Sequence, residues 1–254
     1  MIINLHGVPG EDGVIQGALE CVGVPFLGSG VEASVVALNK HLTKLMASHI
    51  GVRMPGWMLV VNGLVQSRHG VDDDVRRFIE KPLRGGSSLS SRIVNPKDEL
   101  PGTGRWIREE FVQGTDITVT IIEVDGQPRA LPAVAISHGD EFYSEAVKTG
   151  SQWVRGVSAN RPSALQPVFR NCEEVAIKLH SALGARHVSR CDFVLSSQTD
   201  EIHFLELNTI PGFSEVSNSA ECAYAAGLSY DDFIALLVAS SLQKRKNSVL
   251  SADV

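Results

Sequence analysis

The sequence predicts a mixed fold that is α/β at its start and α+β in the remainder. The first 28 residues read as a strand, a helix and a strand, which is one α/β unit and too short to form a domain. Further on, residues 117–122 alternate between apolar and polar side chains, turn at Asp125-Gly126 and return through 130–136. That pattern predicts an antiparallel hairpin, and helical periodicity on either side of it completes the α+β part.

Apolar periodicity, together with glycine and proline breaks, predicts the elements of the first half. In chain order they are strands at 1–7 and 24–27 around a helix at 14–21, then a helix at 33–50 and strands at 57–61 and 77–82. Residues 65–74 are polar and unpatterned, so we expect them to be irregular. The glycine- and serine-rich residues that follow Pro82 are expected to be flexible.

The second half adds two helices, two strands and a long polar segment. Residues 138–161 have little periodicity, which is typical of a functional loop inside a compact domain. The helices are predicted at 172–185 and, after a capping box that begins at Ser229, at 233–242. The last eight residues, 247–254, are expected to fray.

Composition excludes several classes of function. With 254 residues, 43% hydrophobic and 20% charged, the chain has enough length for a substantial core. The net charge of −6 argues against nucleic-acid binding. No signal segment or membrane-spanning apolar run is visible, so we expect a cytoplasmic protein that does not bind membranes. The four cysteines and eight histidines lack CxxC and HExxH spacing, which disfavours zinc and a disulfide framework.

Two predicted strands, 190–194 and 204–209, carry polar residues at matching spacings. Side chains alternate along a strand, so the polar residues of each strand share one face. These residues are Arg190, Asp192, Glu206 and Asn208. If the strands pair, two carboxylates and an amide oxygen converge as ligands for a hard cation such as magnesium, with phosphate oxygens completing the shell. The alternative is a solvated outer face, but the turn at 210–214 favours a site, because loops at strand ends often carry function.

A lysine before a run of glycines and serines is a second candidate. Lys81-Pro82 precedes Gly85-Gly86-Ser87-Ser88, and glycines allow backbone N–H groups to approach a phosphate while lysine supplies charge. The lysine stands before the glycines, so the pattern is not the GxxxxGKS/T phosphate loop. Alone, the segment is typical of a flexible turn, just as Lys40 alone is typical of a protein surface.

Taken in order, these segments resemble the D-alanine–D-alanine ligases of the ATP-grasp superfamily. The matching segments are His6-Gly7 with 10–13 and 16–17, Pro25 with 28–30, 33–34 with 39–40, 81–82 with 86–88, and 206–209 with Pro211-Gly212 and Ser217. The resemblance implies an ATP-grasp fold, in which two α+β subdomains clasp ATP. It implies a remnant of an N-terminal α/β substrate domain at 1–28, a central subdomain at 29–109, a C-terminal subdomain at 110–246 and a frayed tail.

The resemblance also implies a role for each matching residue. Lys40, Lys81 and Ser88 would lie at the ATP phosphates; Glu109, Glu110, Phe111 and Val112 would form the hinge that receives adenine; and Asp116 would bind the ribose. Asp192, Glu206 and Asn208 would hold two magnesium ions, which manganese could replace. Arg190 would stabilise the transferring phosphoryl group, and Ser87 and Ser217 would help to position the amino acid substrates.

The implied reaction is amide formation between two small amino acids, D-alanine by default, as in peptidoglycan biosynthesis. ATP converts a carboxylate into an acyl phosphate, an amine attacks, and phosphate leaves. A lid must exclude water from the acyl phosphate, and residues 83–90 and 138–161 are our candidates for it. Homodimers are usual in the family that the sequence resembles.

The sequence departs from the family pattern in four places. The glycine-rich opening strand, with the glutamate that orients the first substrate, is not in this sequence. Asp116 stands for a ribose-binding glutamate, Glu110 for a hinge lysine, and residues 144–148 only partly match the family's Tyr-Glu-Ala-Lys-Tyr substrate loop. Three hypotheses therefore stay open: a D-alanine-type ligase, a ligase of specialised metabolism for another acid and amine, and a nucleotide-binding protein without ligase activity.

Overall fold

The structure, a computed structural model, describes residues 1–85, 91–136 and 165–242. Ser87, Ser88, the substrate-loop residues 144–148 and most of the predicted lid lie outside the described residues. Within those ranges the chain forms six helices and ten strands, and the strands make two antiparallel sheets of five strands each. The structure therefore confirms the predicted mixture of helices and antiparallel sheets.

Three of the six helices come before the first sheet in the chain, and the other three lie in the second half of the chain. They are α1 (Val14–Cys21), α2 (Val31–Leu38), α3 (Lys40–His49), α4 (Gln166–Ala182), α5 (Asn218–Ala225) and α6 (Tyr230–Leu242). No single helix among the described residues is long and apolar enough to span a membrane; α5 and α6 together would pass on length and composition, with a bend of 103° between them.

The first sheet has the strand order β2-β1-β5-β3-β4. Its strands are β1 (Trp57–Val61), β2 (Leu64–His69), β3 (Phe78–Pro82), β4 (Arg92–Val94) and β5 (Arg105–Glu110). The prediction that 65–74 is irregular was wrong for its first part, because β2 pairs with β1 across the two-residue turn Asn62-Gly63. Both turn residues have positive φ (48° and 79°), as a type I′ hairpin requires.

The second sheet has the order β10-β9-β6-β7, and β8 also pairs with β6. Its strands are β6 (Gly114–Val124), β7 (Gln127–Ala130), β8 (Val134–Ile136), β9 (Val188–Ser196) and β10 (Ile202–Asn208). The hairpin predicted at 117–136 is confirmed, although its return arm is divided into two short strands. Helix α4 packs on one face of this sheet, while α5 and α6 cover the other.

The helix predicted at 33–50 is two helices that meet at Asn39. Asn39 has an extended conformation (φ −89°, ψ 97°), which ends α2, and its side-chain oxygen accepts the N–H of Leu42 at 3.3 Å to cap α3. The backbone N–H of Lys40 bonds to Leu83 O at 3.2 Å. The break therefore ties the first turn of α3 to the chain that leaves β3.

The two strands predicted before residue 30 are reduced to one parallel bridge between Ile2 and Leu27. A strand is stabilised by a continuous ladder to a neighbour, whereas these two segments share this bridge, the bond from Leu27 N–H to Met1 O and the bond from the Met1 ammonium to Pro25 O. The helix predicted between them is confirmed as α1. Its Leu19 packs with Ile3, Phe26 and Ile210, which joins the N-terminal segment to the end of β10.

Candidate active site

Strands β9 and β10 pair as the sequence predicts, and their register brings the four polar residues together. Glu206 lies opposite Asp192, and Asn208 lies opposite Arg190. The other face of β9 carries Cys191 and Phe193, which are fully buried against α4. One face of the hairpin is therefore a polar surface in front of an apolar core.

A β-bulge between Phe204 and Glu206 sets which side chains of β10 face the core. Phe204 and Leu207 are both buried in the core cluster, although an unbroken alternation would put them on opposite faces. Leu205, between them, is only half-buried. The bulge inserts one residue and turns Glu206 to the polar side, an arrangement that is common beside active sites.

Arg190 and Asp192 form an ion pair along the same face of β9. Arg190 Nε lies 3.0 Å from Asp192 Oδ1, and Nη2 lies 2.8 Å from Oδ2. The hydroxyl of Thr118, on β6, donates to Oδ1 at 2.8 Å. Both oxygens of Asp192 thus accept hydrogen bonds: Arg190, on the same strand, donates to both, and Thr118, on the neighbouring strand β6, donates to Oδ1.

Helix α3 brings Lys40 to the edge of this surface. Lys40 Nζ lies 3.8 Å from Glu206 Oε2 and donates to the carbonyl oxygen of Gly85 at 2.6 Å. Asn208 Oδ1 accepts the N–H of Ile210 at 2.9 Å, which fixes the amide at the start of the turn after β10. The lysine and the carboxylate, more than 160 residues apart in the sequence, therefore meet where the two sheets approach.

A buried network of two lysines and one glutamate lies behind Lys40. Lys81 Nζ donates to Glu109 Oε2 at 3.1 Å, and Lys44 Nζ lies 3.5 Å from Glu109 Oε1. Burial alone would raise the pKa of Glu109, but the charges of Lys44 and Lys81 outweigh it and hold the pKa below its ordinary value. Sequence reasoning missed Lys44; the available signal was its position one helical turn after Lys40.

Glu11 is a further residue that the sequence did not single out for the site. It is 5% exposed and lines the same pocket as Lys40, Glu206 and Asn208. Its carboxylate accepts the N–H of Gly7 at 2.5 Å. Burial raises the pKa of Glu11, and the nearby charge of Glu206 adds to this, while His6 and Arg190 oppose it. In the sequence, Glu11 belongs to the family-matching segment 10–13, for which no role in the site was predicted.

The predicted hinge residues, 109–112, lie at the end of β5 and just after it, and their side chains have different contacts. Glu109 faces the lysines, whereas Glu110 lies on the opposite face and accepts the N–H groups of Gly56 (3.0 Å) and Asp72 (2.5 Å). The Phe111 ring lies 4.6 Å from the guanidinium carbon of Arg77. Half-buried Val112 follows in the link to β6. Glu110 therefore holds the loops around the first sheet through backbone amides.

Two further predicted residues lie on other elements of the second sheet. Asp116 is a half-buried residue of β6, in register with Val194 and Ile136. Ser217 is the N-cap of α5, and its hydroxyl oxygen accepts the N–H of Ala220 at 3.2 Å.

The donor set on the β9–β10 face fits magnesium. Two carboxylates in direct cross-strand register, with an amide oxygen on the same face, are the oxygen ligands that this ion prefers. Among the residues that the structure describes, no three His, Cys, Asp or Glu side chains are grouped to hold a metal. The amide of Asn208 and further oxygens, such as those of phosphates, would therefore have to complete the shell.

The family model described as "D-ala D-ala ligase C-terminus" matches residues 77–239. The chain belongs to the D-alanine–D-alanine ligase family. Among the curated members of this family, the D-alanine–D-alanine ligase of Maridesulfovibrio salexigens is 33% identical, with 96% of this chain and 81% of that protein covered. The D-alanine–D-alanine ligase of Syntrophotalea carbinolica is 34% identical, with coverage of 95% and 79%.

Solved structures of D-alanine–D-alanine ligases and related ligases have the same fold as this family member. The VanG D-Ala:D-Ser ligase from Enterococcus faecalis superposes with a TM-score of 0.77 at 22% identity, covering 95% of this chain and 72% of that one. The D-alanine–D-alanine ligase from Bacillus anthracis complexed with ATP gives 0.71 at 24% identity, with coverage of 95% and 78%. The fold is therefore the ATP-grasp fold that the resemblance implied.

Proposed function

We propose that the protein is an ATP- and magnesium-dependent ligase that joins the carboxylate of one small amino acid to the amine of another, with D-alanine as the default substrate. The observation that carries this proposal is the cross-strand pair of Asp192 and Glu206 with the Lys40 ammonium 3.8 Å from Glu206. Carboxylates for a cation and a lysine for phosphate at one place suit phosphoryl transfer. Membership of the family supports the same reaction.

Two lysines of the cleft, together with the hinge residues, would bind the nucleotide. Lys40 and Lys81 would contact the phosphates, and Glu109, Phe111 and Val112 would receive the adenine at the hinge. Asp116 would bind the ribose, and Ser88 would contribute from the loop after β3. In this assignment Glu110 contributes its backbone, because its carboxylate is bonded to the amides of Gly56 and Asp72.

Asp192, Glu206 and Asn208 would hold two magnesium ions, whose charge would offset that of the triphosphate. The guanidinium of Arg190, which is paired with Asp192 in the structure, would donate to the transferring phosphoryl group and to the tetrahedral oxyanion that follows amine attack. Ser87 and Ser217 would position the two amino acids.

The domain organisation is part of this proposal. We assign 1–28 to an N-terminal segment, 29–109 to a central subdomain and 110–246 to a C-terminal subdomain, with ATP between the last two. The first sheet ends at Glu110, which supports the boundary, although α2 and α3 pack on β10 of the second sheet. We also propose a cytoplasmic homodimer, which family membership supports and sedimentation of the purified protein would test.

The direct test is phosphate release from ATP with magnesium and a panel of D- and L-amino acids. Turnover that requires D-alanine supports the proposal. The departure at 144–148 favours a second candidate, a ligase for a different acid and amine, and turnover with another pair would establish it. ATP binding without turnover on any pair would refute ligase activity and leave a nucleotide-binding protein.

A further inference from the structure

We propose that Lys44 is a positioning residue: it keeps the buried Glu109 carboxylate neutralised, and so leaves Lys81 available for the nucleotide phosphates. The inference rests on the proposed function, because it assigns Lys81 to ATP. It adds to that function a residue whose charge acts through Glu109 rather than on the nucleotide.

The first observation is that one buried carboxylate has two lysine partners. The Glu109 side chain is 1% exposed, with Lys81 Nζ 3.1 Å from one oxygen and Lys44 Nζ 3.5 Å from the other. A buried carboxylate without a cation is strongly unfavourable, but one cation is enough to balance its charge. Glu109 therefore has one ion-pair partner more than it needs to stay paired.

The second observation is that the two lysines differ in access to the cleft. The side chain of Lys81 is 14% exposed, whereas that of Lys44 is 1% exposed. The Lys44 ammonium lies 5.6 Å from the centre of the Trp57 ring, and among the described residues it has no hydrogen-bond partner. Lys81 can reach a phosphate, and Lys44 is held inside.

Together these facts give each lysine a separate task. If Lys81 leaves Glu109 for a phosphate, Lys44 remains at 3.5 Å and the carboxylate is still paired. Without Lys44, Lys81 would be the one remaining ion-pair partner of Glu109 among the described residues, and binding ATP would mean leaving a buried negative charge unpaired. Lys44 thus lowers the cost of transferring Lys81 from Glu109 to the nucleotide.

Substitutions that remove one or both of these charges test the inference directly. Lys44→Met removes the positive charge, Glu109→Gln removes the negative charge, and the double variant removes both and restores the net charge of the wild type. Binding of ATP with magnesium, without amino acids, is measured by calorimetry on the full chain, and thermal unfolding of each variant checks the fold. KM for ATP and kcat are then compared.

We expect Lys44→Met to weaken ATP binding about tenfold and to raise KM for ATP more than it lowers kcat. The double variant should bind ATP within about threefold of Glu109→Gln, because without the carboxylate the loss of Lys44 no longer holds Lys81 back. An equal loss in both backgrounds is expected if Lys44 only fills space.

Two outcomes would overturn the inference. Unchanged ATP affinity in Lys44→Met would show that Glu109 does not compete for Lys81. A double variant about tenfold weaker than Glu109→Gln would show that Lys44 acts on ATP binding independently of Glu109. If Lys44→Met does not fold, the ATP affinities of the double variant and of Glu109→Gln still test the inference, because it requires these two affinities to be equal. Failure of the wild type to bind ATP would refute the proposed function, and the inference with it.

Discussion

The guanidinium of Arg190 holds both carboxylate oxygens of Asp192, through Nε at 3.0 Å and Nη2 at 2.8 Å. Both side chains are mostly buried, with 12% and 21% exposure, so solvent screens the pair only in part. A cation that binds Asp192 has to compete with Arg190. The ion pair therefore joins a residue of the proposed metal site to the proposed phosphoryl-binding group.

Asp192→Asn should reduce phosphate release by at least about a thousandfold, because the amide lacks the negative charge with which the carboxylate attracts magnesium and neutralises Arg190. Circular dichroism and thermal unfolding should show an intact fold. The matched control is Asp200→Asn, in the exposed turn of the same hairpin, where Asn tolerates the positive φ of 55°. An active Asp192→Asn enzyme would contradict the metal assignment.

Glu206→Gln should raise the magnesium concentration needed for half-maximal turnover and lower the maximal rate. It removes a carboxylate that lies opposite Asp192 and close to Lys40. A magnesium titration of phosphate release measures the effect, with the exposed Glu215, in the loop after β10, changed to Gln as the control. An equal magnesium dependence in wild type and Glu206→Gln would exclude Glu206 as a ligand.

Asn39→Ala should destabilise the protein by about 1 kcal/mol, because the N–H of Leu42 loses its capping oxygen. Since Lys40 is the next residue, KM for ATP should rise as well. Urea unfolding and steady-state kinetics measure the two effects. Asn39→Asp keeps a capping oxygen and should retain most of the stability; a loss as large as that of the alanine variant would argue against the capping role.

Glu11→Gln should stabilise the protein at neutral pH relative to the wild type. Burial raises the pKa of Glu11, so between its ordinary and its raised value the folded state binds more protons than the unfolded state. The stability of the wild type therefore falls as the pH rises through this window. Urea unfolding at pH 4 and pH 7 tests this: the advantage of Glu11→Gln should be larger at pH 7, and an equal difference at both values would contradict it.

Most of the secondary structure was predictable where the pattern is local. The strands β1, β3, β6, β9 and β10 and the helices α1 and α6 follow from periodicity, within a few residues at their ends, whereas α4 begins six residues before its predicted start at 172. Strand β2 was missed because its residues are mostly exposed and polar, although the Asn62-Gly63 pair between apolar residues is a hairpin signal. The break at Asn39 was missed because helical periodicity continues across it.

The sequence by itself determined the two polar faces that carry Arg190, Asp192, Glu206 and Asn208. Side-chain alternation is a property of an extended chain and needs no partner to be read. Only the tertiary structure decided that Lys44 and Glu11 join the cleft, that the Glu110 carboxylate accepts the amides of Gly56 and Asp72, and that a bulge turns Glu206 toward Lys40. Burial and charge pairing depend on which distant segments meet, and local spacing does not contain that information.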